Sequence, residues 1–286
     1  MCQTEGQCDL HTHTQASDGM QSPADNVRLA LKKGLSAVAI TDHDTVSGVA
    51  EAMAEGERCG VTVVPGVEIS TRAGGKDIHV LGYYMNCSDQ KLLKRLADLR
   101  GTRDGRNEKI IAKLQKLGIS ITMEEVIAGL GRELRPDESI GRPHMADVLV
   151  SKGYVCHMRD AFDRYLGEHA PAYVSVPRIS PEEACLWIRE AGGTPVLAHP
   201  GIYGDDELVR EIVLKAKPAG IEVFHSDHGE AEEHRYQAMA DEFGLIATGG
   251  SDYHGARQGV VFHGDMGSRS VPASVLGQLR RGVKNP

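Results

Sequence analysis

The sequence predicts an α/β barrel of seven short strands, related to the eight-stranded (β/α) barrel but one unit short, with a helical lid inserted into it. Three observations lead there. Short apolar runs bounded by Gly, Pro or polar residues recur along the chain. Stretches with helix start and stop signals lie between them. One long segment, residues 88–176, has helical patterns and no good strand.

Strands are expected at residues 8–11, 37–41, 62–68, 78–84, 195–199, 220–224 and 245–248. Ser22-Pro23 opens a helix over 24–33, with Pro at the first helical position and Gly34 as the stop. Ser180-Pro181-Glu182-Glu183 opens another over 184–191, ended by Gly192-Gly193, and a third over 230–243 is ended by Gly244. Strand–helix alternation argues for a mainly parallel sheet. Within the strandless segment, a long charged helix is expected over 90–117, ended by Gly118. Thr122-Met123-Glu124-Glu125 reads as a capping box, and short helices are expected over 143–152 and 158–166. The chain thus divides into a barrel, 1–87 with 177–286, and a helical insertion domain, 88–176.

Bulk properties exclude several function classes. With 41% hydrophobic and 25% charged residues in 286, the composition is that of an ordinary globular protein. No apolar run reaches the roughly 18 residues of a membrane span, and the polar N-terminus lacks a signal-peptide core. The six cysteines, Cys2, Cys8, Cys59, Cys87, Cys156 and Cys185, form no CxxC pair and read as reduced thiols of a cytoplasmic protein. Cys2 and Cys8 are not expected to bridge. The net charge of −8 argues against broad electrostatic binding of nucleic acid. A small anionic substrate stays open, because bound metals reverse the sign of a local site.

Chemistry-bearing residues cluster at strand ends. His11 and His13 follow strand one, Asp42-His43-Asp44 strand two, and Glu68 ends strand three. His79 lies in strand four and His199-Pro200 ends strand five; His225 and Asp227 follow strand six, Asp252 and His254 strand seven. The C-terminal face of a barrel is where active sites are built. His-x-His on a strand sets both rings on one face, where two imidazoles can grip one metal. A lone His at a strand end is more often a hydrogen-bonded structural residue. Thirteen histidines could put a few there by chance, but not one at nearly every strand end with Asp or Glu interleaved. Mixed imidazole and carboxylate donors suit Zn, Mn or Fe better than Ca or Mg.

Six motifs carry a family resemblance: Asp9-Leu10-His11-Thr12-His13, Ser17-Asp18-Gly19, Thr41-Asp42-His43-Asp44, Pro65-Gly66-Val67-Glu68, Ala198-His199-Pro200-Gly201 and Gly250-Ser251-Asp252-Tyr253-His254. In this order the chain resembles the PHP (polymerase and histidinol phosphatase) family, whose fold is a distorted (β/α)7 barrel. It is most similar to a subgroup whose helical insertion carries Gly141-Arg142-Pro143-His144. That subgroup includes 3′,5′-nucleoside bisphosphate phosphatases, some also acting on short 5′-phosphorylated RNA.

The resemblance implies two to three divalent ions. One would take His11, His13, Glu68 and Asp252; a second would share Glu68 and take His79 and His199; a third would take Asp18, His43 and His254. Asp18 stands where many family members have His. The implied activity is hydrolysis of a phosphomonoester by metal-activated hydroxide, at the 3′-phosphate of a 3′,5′-bisphosphorylated nucleoside or on short 5′-phosphorylated RNA. Alternatives are histidinol phosphate or another small phosphomonoester and, from other classes, a metal-dependent amidohydrolase or a non-catalytic accessory domain. No obligate protein partner is inferred. GxSxG is absent and no Walker lysine follows Gly249-Gly250-Ser251, so no covalent intermediate is needed. His225 is the candidate for protonating the leaving oxygen or binding phosphate, and Asp42 and Asp44 are candidates for orienting ligand imidazoles. Arg142 and a protonated His144 are candidates for binding a substrate phosphate, with Arg178 a weaker one.

Overall fold

A computed structural model describes residues 5–257 and 259–282. In chain order the elements are β1 (Gln7–Asp9), α1 (Pro23–Lys32), β2 (Ala37–Ile40), α2 (Val49–Cys59), β3 (Thr62–Ala73) and β4 (Lys76–Tyr83). The helical segment follows with α3 (Gln90–Lys116), α4 (Met123–Ala128), α5 (Arg142–Ser151) and α6 (Met158–Ala161). The chain then returns with α7 (Pro181–Glu190), β5 (Thr194–Leu197), α8 (Asp206–Ala216), β6 (Gly220–His225), α9 (Glu230–Phe243) and β7 (Ile246–Gly250). Three short strands, β8 (Ala256–Arg257), β9 (Val260–Val261) and β10 (Val271–Pro272), precede α10 (Ser274–Gly282).

The sheet order is β10-β1-β2-β3-β4-β5-β6-β7, and it closes on itself. Leu10 N–H donates to Gly249 O at 3.2 Å, and Thr12 bridges Tyr253. At that seam a Cβ on Gly250 would lie 2.4 Å from the His11 backbone nitrogen, so only glycine fits there. The barrel is not uniformly parallel: β4 runs antiparallel to both β3 and β5. The cause is local. Gly74 and Gly75 have φ of 55° and 79°, the pair of positive angles a tight two-residue hairpin turn requires. Strand three therefore runs past Glu68 to Ala73 before turning back. The reversal carries the first half of β4, and His79 with it, to the end of the barrel where the parallel strands finish.

Two apolar layers build the barrel. Strand residues Val38, Ile40, Ile69, Val80, Leu197 and Val223 pack with helix residues such as Val27, Ala52, Ile188, Val209 and Met239. Leu10, Ala39, Leu81 and Val196 pack with Val271, Val275 and Leu279, so β10 and α10 close the other end. The helical segment has its own cluster, built on Ile110, Leu114, Val126, Met145, Leu149 and Leu166. Helix α3 belongs to both, with Leu92 and Leu96 in the barrel core and Ile110 and Leu114 in the other. The described cysteines are all free, and Cys2 lies outside the described residues. Among the described residues no helix is long and apolar enough to cross a membrane.

Candidate metal centre

The loop after β1 carries His11, His13 and Asp18, all buried. His11 Nε2 lies 3.4 Å from both Glu68 Oε2 and Asp252 Oδ1. His13 Nε2 lies 3.2 and 3.1 Å from the same two oxygens. The other Glu68 oxygen, Oε1, faces His79 Nδ1 at 2.7 Å and His199 Nε2 at 2.9 Å. Glu68 thus presents one oxygen to each of two donor sets, the geometry of a bridging carboxylate. A third set forms where Asp18 Oδ1 meets His254 Nε2 at 3.3 Å and Asp18 Oδ2 meets His43 Nε2 at 3.7 Å. His43 also approaches Glu68, its Nδ1 2.9 Å from Oε2, so the third set adjoins the first two. The nine residues named from the sequence are brought together here. Groupings of three or four of them, including His13, Asp18, His43 and His254, have donor atoms all within 4.8 Å of one another and could hold a metal ion.

The donors fit a metal. His11 Nε2, His13 Nε2, Asp18 Oδ1, His43 Nδ1, Glu68 Oε2 and Asp252 Oδ1 are buried and make no hydrogen bond. Buried polar atoms rarely go unpartnered, because desolvation without a new partner is costly. A cation among them accounts for the whole group. In the metal-free charge balance, burial disfavours the imidazolium of His13, but Asp252 and Glu68 outweigh it and raise its pKa to about 10. Burial likewise opposes ionisation of Glu68, but His43, His79 and His11 hold its carboxyl well below the usual range. His199, by contrast, is pushed down to about 4 by burial.

The surrounding residues orient the donors. Glu222, fully buried on β6, faces His11 Nδ1 at 3.1 Å and accepts the His199 backbone N–H at 2.8 Å. This leaves His11 Nε2 free for a metal. The sequence reading passed over Glu222; its signal was an acid in the middle of an apolar strand. Asp42 does not touch a ligand imidazole. It accepts hydrogen bonds from Thr14 N–H at 2.8 Å and Ser17 Oγ–H at 2.6 Å, and Ser17 Oγ in turn lies 3.4 Å from His13 Nδ1. Asp44 is committed elsewhere, pairing with Arg103 at 2.5 Å and accepting the Ser70 N–H at 2.8 Å.

Two residues expected at the substrate lie outside the cleft over the donors. His225 is fully buried. Its Nδ1 accepts the Asp227 N–H at 3.1 Å, which leaves Nε2 as the protonated nitrogen, 3.4 Å from Asp252 Oδ2. It lies behind Asp252 and does not line the cleft over the donors. His144 Nδ1 accepts the Gly141 N–H at 3.0 Å, and burial pushes its pKa to about 4. It is therefore a neutral ring, and it lines a different cavity, beside Gln15 and Met20.

Arg142 and Arg178 do line the cleft, a cavity of about 250 Å³ that also exposes Glu68, His79 and His254. Arg103, Arg106 and Arg257, not anticipated from the sequence, line it with them. Asp77 lies 3.8 Å from Arg142 and 3.9 Å from Arg178. Burial, then Arg103, Arg142 and Arg178, holds the Arg106 guanidinium well below its usual pKa. Arg106 Nε and Arg178 Nη1 are buried without a hydrogen-bond partner. A donor cluster of histidines and carboxylates and a wall of arginines thus share one cavity.

The chain is similar to known proteins. The chain is 35% identical to a 3′,5′-nucleoside bisphosphate phosphatase of Chromobacterium violaceum, over 88% of each chain. It is 33% identical to a 5′-3′ exoribonuclease of Haemophilus influenzae, over 86% of this chain and 89% of that one. A solved structure of a proposed metal-dependent phosphoesterase from Bifidobacterium adolescentis superposes with a TM-score of 0.88 at 29% identity, covering 98% of this chain and 96% of that one. Residues 9–128, which span the first four of the six motifs, match the PHP domain. The chain belongs to the PHP family and is a metal-dependent phosphoesterase, a hydrolase of phosphoric ester bonds.

Proposed function

We propose that the ester hydrolysed is the 3′-phosphate of a 3′,5′-bisphosphorylated nucleoside or of short 5′-phosphorylated RNA. The observation that carries this reading is the arginine wall facing the donor cluster: one phosphate would sit at the metals and a second at Arg106, Arg142 and Arg178. The named activities of the Chromobacterium and Haemophilus relatives support it. Histidinol phosphate, with a single phosphate, would leave the buried nitrogens of Arg106 and Arg178 without an anion.

In this reading two to three ions of Mn, Fe or Zn are held by His11, His13, Asp18, His43, Glu68, His79, His199, Asp252 and His254. When bound, they supply hydroxide near neutral pH and neutralise phosphate charge. The chain's own residues do the rest. Glu222 and Ser17 fix the rings of His11 and His13, and His225 fixes Asp252. The helical segment, 88–176, acts as an inserted unit that brings Arg106 and Arg142 over the barrel. Arginine suits this task because its fork meets two phosphate oxygens at once.

The test compares wild type with Arg106→Ala and Arg142→Ala on adenosine 3′,5′-bisphosphate, 3′-AMP and an aryl phosphate, following phosphate release. Wild type should prefer the bisphosphate. Each variant should lose roughly 10- to 100-fold in kcat/KM on it, as expected for a lost charged hydrogen bond, and far less on the other two. Equal losses on all three would instead assign the arginine to the reacting phosphate, and a wild type without preference for the bisphosphate would end the substrate reading. Ammonia release from amide substrates would favour the amidohydrolase alternative.

A further inference from the structure

Hydrolysis of an alkyl phosphate needs a proton for the departing oxygen, and few groups in this cleft can give one. Arginine does not give up its proton under ordinary conditions. The imidazoles of His43, His79, His199 and His254 turn into the donor cluster. The Tyr203 hydroxyl is committed to Ala198 O at 2.8 Å. His225 sits behind Asp252, and His144 lines another cavity.

One imidazole remains. His263 follows the β8–β9 hairpin and lines the cleft. Its Nδ1 meets Asp227 Oδ2 at 2.5 Å, while its Nε2 lies 3.6 Å from Asp252 Oδ2, beyond hydrogen-bond distance. The backbone there is left-handed, with φ of 58°, an uncommon conformation for a side-chain-bearing residue and one that tends to mark functional sites. The adjacent Phe262 stacks on Phe162 of the helical segment, with ring centroids 6.1 Å apart, and both rings line the same cleft. A carboxylate on Nδ1 and an open Nε2 make up the arrangement of an oriented proton donor.

We propose that His263, held by Asp227, donates the proton to the leaving-group oxygen. This rests on the phosphoesterase reading but not on which ester is the substrate. The bond from phosphorus to the leaving oxygen breaks with its electron pair staying on that oxygen, which takes the Nε2 proton. The oxygen of a water-derived hydroxide forms the new bond to phosphorus, and His263 regains its proton from solvent. Asp227 is a positioning residue, since it acts through the ring.

A graded leaving-group series tests this with the metal-loaded protein: 4-nitrophenyl phosphate, phenyl phosphate and an alkyl phosphate. Wild type, His263→Gln and Asp227→Asn are compared, with metal content measured by elemental analysis. Metal per chain should match wild type in both variants. In His263→Gln the loss in kcat should grow with leaving-group basicity, from a few-fold for 4-nitrophenolate, which departs without a proton, to roughly 10²-fold or more for the alkoxide. Asp227→Asn should give the same trend with smaller losses. Equal losses along the series, no loss on the alkyl phosphate, or a lost metal equivalent would each overturn the assignment, the last by making His263 a ligand. The substrate reading fails separately, through the absence of a bisphosphate preference in wild type, which does not alter the leaving-group trend.

Discussion

Glu68 is the residue on which most of the centre converges, because its two oxygens face two different pairs of histidines. Glu68→Gln keeps the shape but removes the charge and one shared oxygen. It should lower turnover by roughly 10²-fold or more, the cost of losing a strong electrostatic contributor, and should lower metal content as well. Wild-type kcat with full metal occupancy in this variant would show that Glu68 bridges nothing. Glu222 works one step further out. Glu222→Gln leaves the His11 ring with a weaker partner, so metal affinity should fall about 10- to 100-fold, measured by competition with a fluorescent chelator. Unchanged affinity would make Glu222 a purely structural acid. The contrast between the two is instructive about reading a sequence. Glu68 was legible through its recognisable Pro-Gly-Val-Glu motif, although its strand runs on to Ala73, whereas Glu222 sits mid-strand without such a motif, where only its contacts across the barrel reveal its use. Arg103 and Arg106 were hidden for a similar reason: each lies far along the chain from the donors and reaches the cleft through tertiary packing, whereas His263 follows His254 closely but lies outside the six motifs.

Among the elements, the β3–β4 hairpin was the piece most open to a better reading. Gly74-Gly75 between two β-rich runs is a hairpin signal in its own right, and it fixes the reversal of β4 within the mainly parallel sheet that the sequence predicts. Helices α1, α7 and α9 were marked by their start or stop residues, and the side chains of Ser22 and Ser180 do cap the first two. Helices α2 and α8 were not anticipated; Gly48 before α2 makes no side-chain cap, and Asp205 caps α8 within a short stretch that follows a 3₁₀ turn. Helix α3 raises a different question. It crosses from one apolar cluster to the other, and Gly101 and Gly105 sit in its middle with nothing within 4 Å of the Cβ each would carry. No packing demand explains either glycine, and each weakens a helix interior by about 0.5–1 kcal/mol relative to alanine. The double variant Gly101→Ala, Gly105→Ala should therefore raise thermal stability, by about 1–2 kcal/mol if the two contributions add. A lowered melting temperature would mean that the helix needs its glycines for a bend or approach that the static structure does not display.

For the molecule as a whole, the metal centre joins distant parts of the chain, since its donors come from β3, β4 and the loops after β1, β2, β5 and β7. Anything that binds the folded state alone stabilises it by mass action, so metal should raise the melting temperature and a chelator should lower it. The charge balance adds a pH dependence with a definite sign. Without metal, His13 has a pKa of about 10 against an ordinary 6.5. Its pairing with Asp252 and Glu68 therefore stabilises the metal-free fold fully below the ordinary value, and that stabilisation is lost as pH rises through about 10. Metal competes for the same nitrogen and must displace the proton, so binding releases protons and strengthens with rising pH. The increase in melting temperature on adding Mn should consequently be larger at about pH 8 than at about pH 6, and Mn uptake in a weakly buffered solution should acidify it. Differential scanning fluorimetry with Mn or with chelator at the two pH values checks the first expectation, and a proton-release titration checks the second. A thermal shift that is the same at both pH values, with no proton released, would mean that the metal binds without engaging His13.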